Sequence, residues 1–519
     1  MYASGPFSLQ DSALPNVVLS SAFSHAVNRA TDVEAASHFL ADLLALTTSE
    51  PVNQSIAPTE LIAAIDAGTQ STRVYLFNRH QQAVASHQVS LPQIRPQPGW
   101  HEHDPYEVWK GVEECMVMAL ELAAQETLGP VEVTAIGITN QRETTLVWSR
   151  TTGQPLSNAI VWMDTRTADI CNTLSAELPG GVEHFRAKTG LPISTYLLAY
   201  KFKWMYDNVD DVTRAVDSGD ACFGAVDSRL MYMLTGGAQG GGVHVTDVSN
   251  ASRTGLMDLA TCEWDPEIMA VFGVTPGCLP RIMSCAEVYG HVAAGPYEGV
   301  PISGSIGDQH AAMLGQRCVK GEAENTYGTG AFVLLHTGPH IVPSRHGLLT
   351  TVAYRLGPDA ATQYALEGSI AVAGRGVSWL MENLGIAAYP KEVVDAQAAG
   401  LKKIKMLRAD GGASQNDLLM QMQADVLQCT VRRPVFQETT ALGAALAAGI
   451  GIGMWTEEEV LASHAYGSTD FRPHIRPKRA AERFGKWNRA VERSVQLADL
   501  ENERDAWGQR ALSVHATQS

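Results

Sequence analysis

Arg142 and Glu143 stand side by side in Asn140-Gln141-Arg142-Glu143-Thr144-Thr145, straight after the apolar, β-branched run from Val133 to Thr139. A strand of that composition, buried on both faces, should end at a cleft, where the pair offers a ligand a guanidinium donor fork and a carboxylate acceptor together. A small polyol, whose hydroxyls both donate and accept, is the ligand class that uses both. The competing reading is a solvated ion pair in a loop.

Three further groups bear on phosphoryl transfer, which needs a metal bridging phosphate oxygens, donors for the developing charge and a carboxylate to take the attacking hydroxyl's proton. The first is Ala63-Ala64-Ile65-Asp66-Ala67-Gly68-Thr69-Gln70-Ser71-Thr72-Arg73-Val74-Tyr75, which reads as strand, Gly/Thr/Ser turn, strand. Such a turn can aim several backbone N–H groups at one anion. Asp66 at the strand tip is a candidate partner of hydrated Mg²⁺, which takes only one or two protein carboxylates, or else an Asx-turn cap. The pattern returns in Asn325-Thr326-Tyr327-Gly328-Thr329-Gly330-Ala331-Phe332-Val333-Leu334, so two related halves are expected. The second group is Gly307-Asp308-Gln309, where a Gly-bounded turn feeds a small-residue helix. Asp308 is either a general base beside the hydrogen-bonding Gln309 or an N-cap carboxylate. The third is Asp410-Gly411-Gly412 with Asn416, read as a turn opening a helix that continues to Gln428. Its N-terminus could meet a nucleotide, or the turn could be a plain connection.

These residues need a scaffold, and the chain predicts an α/β one. From Glu60, short apolar strands (Leu61–Ile65, Arg73–Phe77, Val133–Thr139) alternate with longer helical stretches such as the one after Asp104. The GIGIG run at Gly449–Gly453 lacks the strand before it and the helix after it that a dinucleotide fingerprint requires, so a helix end is expected there. Residues 1–58 read as a loosely ordered extension with one amphipathic helix around Asp32–Ala45. The chain has 519 residues and a formal net charge of -17, which argues against nucleic acid and anionic membrane partners. No apolar run approaches the roughly 20 residues of a membrane span. Eight scattered Cys without a CxxC pair fit a reducing, cytoplasmic setting, and His101/His103 are left without a metal.

Nine ordered motifs, DAGTQSTR, ITNQRETTLVW, NAIVWMDTRT, VHVTDVSNASRT, ISGSIGDQHAA, NTYGTGAF, HGLLTTVAY, YALEGSIAVAG and RADGGASQNDLLMQMQAD, make the chain resemble the glycerol kinase branch of the FGGY carbohydrate kinase family from Leu61 to about Val491. The resemblance implies two actin-like, ribonuclease-H-like ATPase domains around a central cleft, residues 59–316 and 317–519, and a homo-oligomer. It also implies transfer of the ATP γ-phosphoryl group to glycerol. By motif position, Arg142, Glu143, Tyr196, Asp308 and Gln309 would hold glycerol, with Trp162 and Phe332 along its carbon edge and Asp308 as base. Thr69, Gln70, Ser71 and Arg73 would meet the phosphates; Thr329, Gly374, Gly412 and Asn416 would meet the nucleotide.

The chain also departs from the family pattern. Ala67 and Gln70 replace usual residues of the phosphate hairpin, Leu198 stands two positions after Tyr196 where a small residue or Pro is expected, and Ser378 replaces a frequent Gln. Beyond a helix expected at about Ile370–Asn383, Leu401 follows too soon for the strand and helix the family places there, since a β-α-β crossover takes about 30 residues. The second domain is therefore expected to lack an internal strand-helix segment near Gly400. Two alternatives follow: a kinase for another polyol or sugar, and a catalytically impaired binding protein or incomplete gene product.

Overall fold

A computed structural model describes residues 57–370 and 404–489, apart from 128, 329, 345, 346, 464, 465, 487 and 488. The helices expected at Asp32–Ala45 and Ile370–Asn383, the shortened segment near Gly400, and Thr329, Gly374 and Ser378 fall largely or wholly outside the described residues.

The first Gly/Thr turn joins β1 (Thr59–Ala67) to β2 (Ser71–Asn78) as an antiparallel hairpin that sets Asp66 opposite Arg73. β3 (Ala83–Ser90) extends it on one side. On the other side lie β4 (Val131–Asn140) and β6 (Pro301–Gly307), both parallel, then antiparallel β5 (Ala286–His291). Successive β1 residues alternate between two cores. Leu61, Ala63 and Ile65 pack with α1 (Pro105–Thr127), while Ile62 and Ala64 pack with α5 (Thr439–Gly451). The period-2 geometry of a strand covered on both faces produces this division, and it explains why β1 and β4 carry almost no polar side chains until their ends.

The second sheet repeats the plan. β7 (Ala323–Tyr327) and β8 (Ala331–Gly338) form the second hairpin; β10 (Gln363–Ile370) and β9 (Leu349–Tyr354) lie beyond β8. On the far side of β7 come parallel β11 (Met406–Asp410) and β12 (Thr430–Pro434), then antiparallel β13 (Ser468–Phe471). Both sheets thus centre on a strand paired antiparallel to the next and parallel to a later one, the ribonuclease-H-like order expected for two related halves.

The halves meet through helices. α3 (Asp308–Gly315) and α5 share one core with side chains from both sheets. Backbone touches backbone there: a Cβ on Gly443 would sit 1.9 Å from the Ala311 carbonyl, and one on Gly137 of β4 2.1 Å from that of Ala444. α5 ends at Gly451 and the GIGIG run closes it with a left-handed Gly453, as expected. Among the described residues no helix is long and apolar enough to cross a membrane.

Candidate active site

Register determines where the chemistry collects. In the first sheet, Ala67 of β1 and Gly307 of β6 both pair with Asn140 of β4, so three carboxyl-terminal strand ends finish level. Asp66, the Arg142-Glu143 turn and Asp308 therefore share one edge, the place where open α/β sheets bind ligands. Opposite it, the second hairpin supplies Thr326, Gly328, Gly330 and Phe332. Between them lies a cleft of about 220 Å³ whose walls also include Gly68, Thr69, Gln70, Ser71, Arg73, Trp162, Tyr196 and Gln309.

At one end the walls are charged. Arg142 is almost wholly buried and directs Nη1 and Nη2 to the two oxygens of Glu367 at 2.6 and 3.2 Å. Its Nε lies 2.9 Å from Asp308 Oδ1, a close ion pair without the alignment of a hydrogen bond. A Cβ on Gly307 would lie 2.8 Å from Cγ and Cδ of Arg142, so glycine at this strand end lets the arginine stem pass. Glu143 has φ of 58°, and the Thr144 N–H bonds back to the Arg142 carbonyl at 2.8 Å. A non-glycine residue held in that left-handed region is strain that the surrounding structure must fix, and such strain collects at functional sites. Arg253 holds the Glu143 carboxylate at 2.5 Å.

Asp308 is the first residue of α3, with Gly307 in the cap position; its Oδ1 accepts the Gln309 N–H at 2.7 Å. Burial pushes its carboxyl up to about 6, against the pull of Arg142 and with a further push from Glu143. The Gln309 side-chain oxygen is buried without a hydrogen-bond partner, a free acceptor on the cleft wall. The other wall is aromatic. Trp162 meets Tyr196 edge-on at 5.8 Å and Phe332 at 5.6 Å, and its Nε1 donates to Thr69 Oγ1 at 2.9 Å. Lys201, fully buried on α2 (Leu198–Asn208), donates to the Tyr196 carbonyl at 2.5 Å, and burial lowers its ammonium to about 7.

At the hairpin end, Arg73 reaches Glu438 at 2.6 Å and Asp66 at 3.8 Å. The Asp66 carboxyl rises to about 7, first through burial, which outweighs the pull of Arg73, and then through Glu438 and Asp308. Asp66, Glu438 and Asp308 outnumber Arg73 and Arg142 here, a deficit of positive charge that a divalent cation would offset. Among the described residues no group of three or more His, Cys, Asp or Glu side chains is arranged to hold a metal ion by itself. His101 and His103 instead both meet Gln93 Oε1, at 2.7 and 3.3 Å, and serve the packing.

One expectation needs correction. The Asp-Gly-Gly turn does not open the helix: Gly412–Gln415 form a 3₁₀ turn, and α4 (Asp417–Leu427) starts only after Asn416, whose side chain caps it by accepting the Leu419 N–H at 3.2 Å. The capping side chain competes with ligand for Asn416, and neither Asn416 nor Gly412 lines the cleft. Gly411, with φ of 79° and a Cβ position 2.3 Å from the Tyr327 carbonyl, ties the turn to β7 instead. Gly412 has open space where a side chain would stand, as a flat ring would require. Sequence reasoning assigned no role to Arg253 or Glu367. Both fall inside motifs it singled out, VHVTDVSNASRT and YALEGSIAVAG, but their charge partners lie 110 and 225 positions away along the chain.

A buried carboxylate at a strand end, a Gly/Thr hairpin and a mixed polar and aromatic pocket between two such sheets fit a two-lobed kinase. The chain belongs to the FGGY family of carbohydrate kinases: residues 61–315 match its N-terminal domain, and residues 323–401 and 384–452 match its C-terminal domain. Glycerol kinase of Arabidopsis thaliana is 44% identical over 85% of this chain and 98% of its own length; that of Brucella anthropi is 42% identical over 84% and 99%. The crystal structure of Plasmodium falciparum glycerol kinase with ADP superposes with a TM-score of 0.78 at 32% identity, covering 84% of this chain and 98% of that one.

Proposed function

We propose that this protein transfers the γ-phosphoryl group of ATP to a terminal hydroxyl of glycerol, giving sn-glycerol 3-phosphate. The observation that carries the reading is the pocket itself: Arg142, Glu143, Asp308 and Gln309 supply donors and acceptors on one side, and Trp162, Tyr196 and Phe332 an aromatic wall on the other. A triol has that same division between hydroxyls and carbon edge, and a site with unpaired polar groups rejects a ligand lacking them. The family resemblance and the glycerol kinase relatives support the same substrate.

In this reading Asp308 accepts the proton of the attacking hydroxyl while Arg142 and Glu143 orient the other two. Thr69, Gln70, Ser71 and Arg73 meet the phosphates, and Gly412 borders the nucleotide; Thr329 and Gly374 lie outside the described residues and are carried over from the resemblance alone. Asp66 would hold Mg²⁺, a fit supported by its crowding with Asp308 and Glu438. Bound there, the ion would supply positive charge to offset that of the phosphates. Residues 59–316 and 317–519 serve as the two lobes. A homo-oligomer and a cytoplasmic setting are part of the proposal, the second supported by eight buried cysteines without a CxxC pair.

A second reading, a catalytically impaired relative or an incomplete gene product, is favoured by two observations. The alignment with the Arabidopsis enzyme is 514 positions long yet takes in only 85% of this chain, leaving a stretch of the relative without a counterpart. The C-terminal match arrives in two overlapping pieces, as a deletion between them would produce. Glycerol-dependent ADP release by the purified protein supports catalysis. Binding of ATP and glycerol without turnover, restored when the segment near Gly400 is supplied, supports the second reading. Preference for a pentulose would overturn glycerol as substrate.

A further inference from the structure

We infer that Arg253 and Glu367, which do not line the cleft, are the residues that position Arg142 and Glu143 for glycerol, and that the second lobe thereby completes a binding site built mainly on the first. The inference rests on the glycerol reading above.

Five side chains form an unbroken chain of alternating charge. Asp308 meets Arg142 Nε at 2.9 Å; Arg142 meets both oxygens of Glu367; Glu367 Oε1 also accepts from Arg253 Nη2 at 3.2 Å; Arg253 Nε meets Glu143 at 2.5 Å. The two ends, Asp308 and Glu143, are carboxylates of the cleft wall. Arg253 and Glu367 are the inner links, both with no exposed surface. Glu367 belongs to β10 of the second sheet, whereas Arg142 and Glu143 follow β4 of the first.

Fold stability does not account for this arrangement. A buried ion network gives little net stabilisation over packed apolar side chains, because desolvation cancels most of the attraction. This one also leaves Arg253 Nη1 buried without a partner. Burial works to raise the Glu367 carboxyl, but the two guanidiniums outweigh it and hold it below its ordinary value, so the link is charged. What the network does supply is direction. The bidentate contact to Glu367 fixes the plane of Arg142, as single contacts do not. Arg253 holds the carboxylate of Glu143, whose backbone is already strained. The Arg253 guanidinium also lies 5.5 Å from the Tyr196 ring centre, so a third wall residue leans on the same link.

The test is calorimetric titration of the full chain with glycerol and, separately, with ADP, alongside thermal melting. Glu367→Gln keeps the shape but loses the charge; Arg253→Lys keeps the charge but loses the fork. Each is expected to weaken glycerol binding on the order of 10- to 100-fold, the range for a misdirected hydrogen bond to a charged group, and to leave ADP binding within about twofold. The double variant should be far less damaged than the product of the singles, because both break one chain. Unchanged glycerol affinity in a folded variant, or equal weakening of both ligands, would overturn the inference. If Glu367→Gln does not fold, Arg253→Lys decides by the same criteria. Wild-type protein that binds ADP but not glycerol would instead remove the substrate reading on which the inference stands.

Discussion

The pH profile of glycerol phosphorylation is the most direct probe of the proposed base. Asp308 carries its proton up to about pH 6 because burial outweighs the attraction of Arg142. A base works only when deprotonated, so kcat/KM for glycerol should fall on the acid side with a midpoint near 6. At pH 5 it should stand at about one-tenth of its plateau, whereas an ordinary aspartate with a value near 3.9 would keep more than nine-tenths. Saturating Mg-ATP keeps the Asp66 corner in one state while glycerol is varied. Arg142→Gln removes the charge that pulls Asp308 down, so the normalised acid limb should move above 6 as glycerol binding weakens. Asp308→Asn should lose about 100- to 10,000-fold in kcat with ADP binding intact. A profile flat to pH 5, or an Asn variant within about tenfold of wild type, would refute the assignment of Asp308 and its environment.

Three other outcomes follow from named contacts. If Asp66 holds Mg²⁺ as proposed, burial that raises its carboxyl to about 7 means Mg²⁺ binding at pH 6 should release close to one proton, read from the dependence of the binding enthalpy on buffer, and almost none at pH 8. Gly307→Ala sets a Cβ against the Arg142 stem at 2.8 Å and should weaken glycerol binding roughly tenfold with little change for ADP, measured by titration. Gly443→Ala drives a Cβ to 1.9 Å from a backbone oxygen of α3 that cannot yield, so it should cost about 3 kcal/mol or more and lower the melting temperature by several degrees whatever the ligand.

Much of the fold was legible because its signals are local. Apolar β-branched runs that end in charge or glycine mark strands covered on both faces; β1, β2 and β4 lie where those runs predict, and the two Gly/Thr turns are both hairpins. The candidate residues Asp66, Arg142, Glu143, Asp308 and Gln309 stand at strand ends for the same reason. The helix after the Asp-Gly-Gly turn starts later than expected: a 3₁₀ turn at Gly412–Gln415 differs from an α-helical turn only in backbone angles, which residue types do not specify, whereas the capping Asn416 is the residue type that marks the true start.

The sequence by itself determined which residues could do chemistry, since side-chain type and strand periodicity are properties of neighbouring positions. Only the tertiary structure decided how they are held. The pairing of Glu143 with Arg253, of Arg142 with Glu367 from the other sheet, and the raised values of Asp66 and Asp308 all depend on register and burial. Register is fixed by sheets that assemble across hundreds of residues, and burial by helices packed from the opposite end of the chain. A charge in sequence has no definite energy until the fold sets its distance from the other charges and from water.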